Sequence, residues 1–166
     1  MKYSKYVVLL LFAFALLSCN KNDVKPLIDA DIQAEREDQI IQQYLAENNL
    51  TAERTELGIY YIVLEEGTAV GASNNGASVV VNYKGNVLYG RQFDSSYERG
   101  EPLTFKIGEG SVVVGFEQAV KQMKSQERTI FFIPSRYAYG QNGITSGNRE
   151  IIPPYATLVF EIKREI

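Results

Sequence analysis

The stretch "GFEQAVKQMKS", residues 115–125, decides the fold because it breaks the rhythm of the sequence around it. Phe116, Ala119, Val120 and Met123 stand at i, i+3, i+4 and i+7, the spacing of one helical face, while Glu117, Lys121 and Lys124 point elsewhere. Glu117 falls near the end of such a helix where the peptide dipole favours an acid, and the lysines fall near the other end. A short helix with a single apolar stripe must bury that stripe against something broad. The flanking sequence supplies a sheet.

On both sides the pattern is one of short runs rich in Val, Ile, Tyr and Phe, separated by turn-forming clusters, which signals antiparallel strands. "GIYYIVLEEG" (58–67), "ASVVVNYKG" (77–85), "PLTFKIG" (102–108), "ERTIFFIP" (127–134) and "YATLVFEIKREI" (155–166) are the main candidates. Leu103, Phe105 and Ile107 alternate with Thr104 and Lys106, and Ala156, Leu158, Phe160 and Ile162 share one parity, so these strands have a definable inner face. Asn75-Gly76 reads as a tight turn between the first two runs. The fold class is α+β: a curved antiparallel β-sheet, a half-barrel, wrapped around one short α-helix.

Ahead of this unit lies a helical extension over 31–50. In "ADIQAEREDQIIQQYLAENNL" (30–50), Ile32, Ile40, Ile41, Tyr44 and Leu45 fall loosely at helical spacing amid charges, and the helix is expected from about 31 to 48. Its expected role is a spacer packed on the main domain. Residues 19–30, polar with one proline, read as a tether.

Residues 1–18 read as an export signal. Lys2 and Lys5 precede an apolar run, Tyr6 to Leu17, that is shorter than the ~20 residues a spanning helix needs. The run closes in Leu16-Leu17-Ser18-Cys19, which resembles the Leu-x-x-Cys signal of bacterial lipoproteins. That resemblance implies cleavage before Cys19 and lipidation of its sulfur, leaving the mature chain without a free thiol or disulfide. The competing reading is an ordinary secretory signal that happens to contain a cysteine.

Composition narrows the chemistry. The 166 residues carry 17 basic and 20 acidic side chains, a formal charge of −3, so nothing draws a nucleic acid to an extended surface. The chain has no histidine, no tryptophan and one cysteine, which removes Ser-His-Asp and Cys-His catalysis as well as imidazole or thiolate metal sites. "DADIQAERED" lacks the spacing of a calcium loop and reads as a solvated helix face. Gly108-x-Gly110 fails the dinucleotide fingerprint because the third glycine stands at Gly115 where Val113 should be glycine. Neither a metal nor a cofactor is expected.

Four motifs then occur together: "VVVNYKGNVLYGRQFDSS" (79–96), "GEGSVVVGFEQAVKQMK" (108–124), "IPSRYAYG" (133–140) and "IIPPYATLVFEI" (151–162). In order and spacing they resemble the FKBP-type peptidyl-prolyl cis-trans isomerases, over about Gly58 to Ile166. With the signal region, the whole is similar to a lipid-anchored bacterial member of that family. The resemblance implies a proline pocket lined by Tyr83, Phe93, Asp94, Phe105, Val112, Val113, Tyr139, Ile152 and Phe160, with Phe116 where many members have a tryptophan as floor. Among these, Tyr83, Phe93, Asp94, Tyr139 and Phe160 are the expected catalytic group; Phe105, Val112, Val113, Phe116 and Ile152 are expected to contact substrate. The loop Gln141–Glu150 is longer than in the smallest members, and no residue in it is assigned a role.

The implied chemistry explains the missing histidines. Twisting an amide makes and breaks no covalent bond, so neither nucleophile nor metal is required. The Tyr139 hydroxyl and the Val113 N–H are the expected donors to substrate carbonyls. For Asp94 several readings stand: an electrostatic partner of the twisting carbonyl, an orienter of Tyr139, a general acid, or part of a "DSS" turn cap. Phe93, Phe105 and Phe160 also fit a purely structural core.

The expected function is therefore a prolyl isomerase acting on exported polypeptides at the cell envelope, anchored to membrane by lipid and facing the periplasm or cell surface. The alternatives are a catalytically weak binding or chaperone module of the same fold, and a structural lipoprotein of an envelope assembly. Proline-containing polypeptides are the expected partners, with macrolides of the FKBP-binding class as further ligands.

Overall fold

Asp29 opens the first helix by accepting the Asp31 N–H on its side chain at 2.9 Å, satisfying one of the free donors of a helix start. The computed structural model describes residues 29–68 and 73–165. The signal segment, Cys19 and most of the tether lie outside the described residues.

Helix α1 runs Ala30–Glu47 and stops where Asn49 turns left-handed (φ 53°). Its buried stripe is Gln33, Glu37, Ile41 and Leu45, one residue per turn. The apolar pattern reported only half of that face: Ile41 and Leu45 are buried, but Ile32 is 58% exposed, and the first two turns of the buried face are polar. Hydrogen bonds, rather than hydrophobicity, pay for that half of the face, as described below.

The strands are β1 (Glu53–Arg54), β2 (Tyr60–Glu65), β3 (Ser78–Val87), β4 (Gln92–Ser95), β5 (Leu103–Lys106), β6 (Arg128–Ile133), β7 (Ile144–Ser146), β8 (Arg149–Ile152) and β9 (Leu158–Arg164). Seven of them form one antiparallel sheet in the order β1-β2-β6-β9-β3-β4, with β5 also paired to β3. β7 and β8 form a separate hairpin that takes up most of the segment read from sequence as a loop and extends to Ile152. The turn at Asn75-Gly76 is present, with Gly76 at φ 86°, but β2 and β3 are not neighbours. The Gly76 N–H bonds the Ile107 carbonyl instead of closing a hairpin between them.

Helix α3 (Val114–Gln122) follows a one-turn helix α2 (Ser96–Arg99) and lies on one face of the sheet. Phe116, Ala119, Val120 and Met123 are all buried there against Val79, Val81, Phe131, Leu158, Phe160 and Ile162. The alternation in β9 is realised, with Leu158, Phe160 and Ile162 inward. Burial of each large apolar side chain in this core contributes ~1.5–3 kcal/mol.

The opposite face of the sheet is covered too. Ile41 and Leu45 of α1 pack with Tyr60, Leu88 and Phe132. Covering on both sides explains why adjacent Phe131 and Phe132 are each 1% exposed: successive strand residues face opposite ways, one toward α3 and one toward α1. Among the described residues no helix is long and apolar enough to cross a membrane.

Candidate active site

Phe116 is delivered by the first turn of α3 to the concave face, where it is 3% exposed. Its ring meets Phe160 at 5.0 Å and Tyr83 at 5.3 Å between centroids, both nearly edge to face. Phe93 extends the wall by packing at 90° and 5.7 Å on Phe160. These geometries set ring edges against ring faces, the favourable arrangement of aromatic quadrupoles. They form the floor and one side of a cleft of about 230 Å³.

Val112, Val113 and Tyr139 close the other side, and Asp94 stands at the rim. Eight of the ten residues expected from sequence thus line one cavity: Tyr83, Phe93, Asp94, Val112, Val113, Phe116, Tyr139 and Phe160. Phe105 and Ile152 do not line it. Phe105 is 6% exposed and lies beside Phe116, 6.0 Å between centroids, while Ile152 is 3% exposed in the core. Leu103, two residues before Phe105 and on the same face of β5, reaches the cleft in its place, and Ser111 joins it from the loop before α3.

Two further residues shape the site without having been singled out. Gly85 on β3 has no side chain to give: a Cβ there would come within 2.8 Å of both Phe160 and Phe93. The two rings occupy that space. Arg99, at the end of α2, folds back onto the rim, with its guanidinium 5.4 Å from the Tyr83 ring centroid and its Nη2 donating to the Tyr83 hydroxyl at 3.1 Å.

Asp94 is the hub of this rim. One carboxylate oxygen accepts the Tyr83 hydroxyl, and the other accepts the Ser95 N–H at 2.8 Å and pairs with Arg99. Three donors converge on its two oxygens, so both oxygens serve as acceptors. Its partner is Tyr83, not Tyr139. The turn-capping reading is realised by its neighbours: the Ser95 hydroxyl accepts from Glu98 N–H to start α2, and Ser96 Oγ accepts the Tyr83 N–H at 2.8 Å. Capping and the rim network share one short segment.

The two expected donors are unengaged. Among the described residues neither the Tyr139 hydroxyl nor the Val113 N–H has a hydrogen-bond acceptor. Burial, with the Asp94 charge second, raises the Tyr139 hydroxyl above the ordinary tyrosine value, keeping its proton available to an acceptor. Burial likewise raises Tyr83, reinforced by its bond to Asp94 and opposed by Arg99. No cluster of three or more metal-ligating side chains occurs among the described residues.

Helix α3 laid across one face of a curved antiparallel sheet, with an aromatic cleft between them and two unengaged donors on the side opposite the Phe93–Phe160 wall, defines the class of fold and site. The family model for FKBP-type peptidyl-prolyl cis-trans isomerases matches residues 70–164, and the chain belongs to that family. Among its relatives, the isomerase FkpA of Escherichia coli K12 is 39% identical over 106 residues, 64% of this chain and 36% of that protein. FK506-binding protein 1A of Neurospora crassa is 38% identical over 104 residues, 63% of this chain and 83% of that protein. FK506-binding protein 59 of Drosophila melanogaster is 38% identical over 106 residues, and the chain spans 23% of its length. The crystal structure of E. coli FkpA superposes with a TM-score of 0.66 at 31% identity, covering 82% of this chain and 61% of that one. That of AtFKBP13 gives 0.62 at 31%, covering 68% and 95%.

Proposed function

We propose that the protein is a peptidyl-prolyl isomerase that accelerates rotation about Xaa-Pro bonds in exported polypeptides. The observation that carries this reading is the pairing of an aromatic floor with two unengaged donors, the Tyr139 hydroxyl and the Val113 N–H, on the same small cleft. At about 230 Å³ the cleft is smaller than the ~300–1,000 Å³ typical of drug-sized ligands, and it suits one pyrrolidine ring with flanking backbone outside.

Rotation about the amide faces a barrier of ~18–20 kcal/mol because resonance must be broken. In the twisted state nitrogen and carbonyl are no longer conjugated, and the charge separation of the planar amide falls. Walls made of Tyr83, Phe93, Phe116 and Phe160 solvate that less polar state better than the planar one, which is differential binding of the transition state. The donors hold neighbouring carbonyls while the bond turns. Asp94, fixed by Tyr83 and Arg99, sets a constant field at the rim and moves no proton.

A protease-coupled assay on an Xaa-Pro peptide tests the reading. An isomerase shortens the slow phase in proportion to its concentration; a pure binding module retains the peptide and leaves that phase unchanged. Macrolide binding is included in the proposal in a weakened form, since Phe116 offers a smaller face than an indole.

The second part of the proposal is the setting. The Leu16-Leu17-Ser18-Cys19 signal supports lipidation at Cys19 and attachment to an envelope membrane, with the catalytic domain facing the periplasm or cell surface. Two or more acyl chains suffice for stable anchoring at ~0.8 kcal/mol per buried CH₂. Fractionation tests it: the wild-type chain sediments with membranes and gains lipid mass at Cys19, and Cys19→Ser does neither. Equal distribution of the two would refute the anchor.

A further inference from the structure

Glu37 is a carboxylate 3% exposed in the middle of α1, on the side of the sheet away from the cleft, and the chemistry described so far makes no use of it. A buried charge is costly unless donors surround it. Here they do. One oxygen of Glu37 accepts the backbone N–H of Ser135 at 2.5 Å, and the other accepts the Ser135 hydroxyl at 2.6 Å and Gln33 Nε2 at 2.7 Å. Thr157 Oγ1 adds a longer contact at 3.5 Å.

What Glu37 grips is the root of the segment that carries Tyr139. Ser135 begins a short 3-10 turn, Ser135–Tyr137, whose preceding residue, Pro134, offers no side-chain cap. Glu37 supplies that cap from 98 residues away. On its other side the Ser135 carbonyl accepts both Ala138 N–H and Gly140 N–H at 2.9 Å, straddling Tyr139. The Gly140 carbonyl in turn accepts Tyr155 N–H at 2.7 Å. Glu37, Ser135 and Gly140 thus form a continuous hydrogen-bonded brace under Tyr139, whose hydroxyl, unlike that of Tyr83, is unengaged in the cleft.

We infer that Glu37 is a positioning residue for catalysis: through Ser135 it fixes the backbone of 135–140 so that the Tyr139 hydroxyl addresses the cleft. Helix α1 is on this account a working part of the isomerase rather than a spacer, although the family match begins only at residue 70. The inference rests on the isomerase reading for its kinetic consequence but not for its structural one. A carboxylate is the fitting group because it accepts from two Ser135 donors at once without presenting a donor of its own.

The test uses the full chain with Glu37→Gln and Glu37→Ala, each alone and combined with Tyr139→Phe, followed by kcat/KM on an Xaa-Pro peptide and by NMR of ring-labelled tyrosines. The Tyr139 resonance is identified by its loss in Tyr139→Phe. Glu37→Ala is expected to lower kcat/KM about threefold to tenfold, the worth of one neutral hydrogen bond, with Glu37→Gln losing less because it keeps the shape and one acceptor oxygen. In the Tyr139→Phe background the further loss shrinks to less than about twofold, because the two substitutions act on one interaction. The Tyr139 resonance shifts while that of Tyr83 stays. Unchanged kcat/KM with an unmoved Tyr139 signal in a folded variant overturns the inference, as does a full additional loss in the Tyr139→Phe background. If Glu37→Ala fails to fold, Glu37→Gln decides by the same readings. If the wild type shows no isomerase activity, that failure falls on the proposed function, and the Tyr139 signal alone decides this one.

Discussion

The rings of Phe93 and Phe160 meet at right angles, 5.7 Å between centroids, over the bare Cα of Gly85. The pocket wall therefore depends on a residue that contributes no side chain. Gly85 pairs with Phe160 on one side and Asp94 on the other, and the β3–β4 register shifts just beyond it. Substitution Gly85→Ala forces a methyl group against both rings, an overpacking that costs ~1–3 kcal/mol. The expected outcome is a folded protein with lowered thermal midpoint and a larger fractional loss of kcat/KM than of stability. Wild-type kinetics would show that the rings need no such space.

Asp94→Asn keeps the shape of the rim and removes its charge. Asp94 and Arg99 are each 39% exposed, so solvent screening keeps their pair worth at most ~1 kcal/mol and stability should barely change. Activity should fall about threefold to tenfold, because the amide keeps only one of the two acceptor oxygens that hold Tyr83 and Arg99 and the field at the rim is lost. Full retention of kcat/KM would show that the charge at the rim does not serve catalysis, and would contradict this role for Asp94.

Tyr139→Phe removes one free hydroxyl and nothing from the packing. A single neutral hydrogen bond contributes ~0.5–1.5 kcal/mol, so kcat/KM should drop about twofold to tenfold while the thermal midpoint stays constant. A loss of a thousandfold would mean that Tyr139 takes part in proton transfer, contrary to the mechanism proposed.

The dependence on pH follows from the same two tyrosines. Burial holds Tyr83 and Tyr139 above the ordinary value of 10.0, so both keep their protons and activity should be flat from about pH 6 to about pH 9. Because the folded state holds these protons more tightly than the unfolded chain, the stabilisation is complete below the unfolded value and lost as pH rises through the folded ones. Tyr89, pushed up to about 12 chiefly by its hydrogen bond to Glu47, adds in the same sense and loosens the clasp between α1 and the β3–β4 turn. Denaturant midpoints across the alkaline range check the sign; a midpoint rising with pH there would contradict it.

Much of the fold was legible because periodicity is local. The stripe of α3 and the parity of β9 were readable from spacing alone, and both point where the spacing says. Parity names a face but not a depth, which is why Phe105 and Leu103 exchanged roles: the same face of β5 passes from under Phe116 to the open cleft within two residues. The polar half of the buried face of α1, Gln33 and Glu37, was missed because it is held by hydrogen bonds with Ser135, close to 100 residues away, which no apolar pattern reports. The Asn75-Gly76 turn is likewise correct locally and misleading globally, since the strand order of the sheet depends on distant pairings. Gly85 and Arg99 matter through what meets there in space, and the sequence around them carries no mark of it.

The central claim is that a dry aromatic cleft turns a proline peptide bond without moving a proton. The most direct measurement is the catalysed cis-to-trans rate of an Xaa-Pro peptide, by NMR exchange, in H₂O and in D₂O. The account predicts clear acceleration with a ratio of rates of ~1, since no proton is in flight in the transition state. No acceleration, or a rate about twofold or more slower in D₂O, would contradict it.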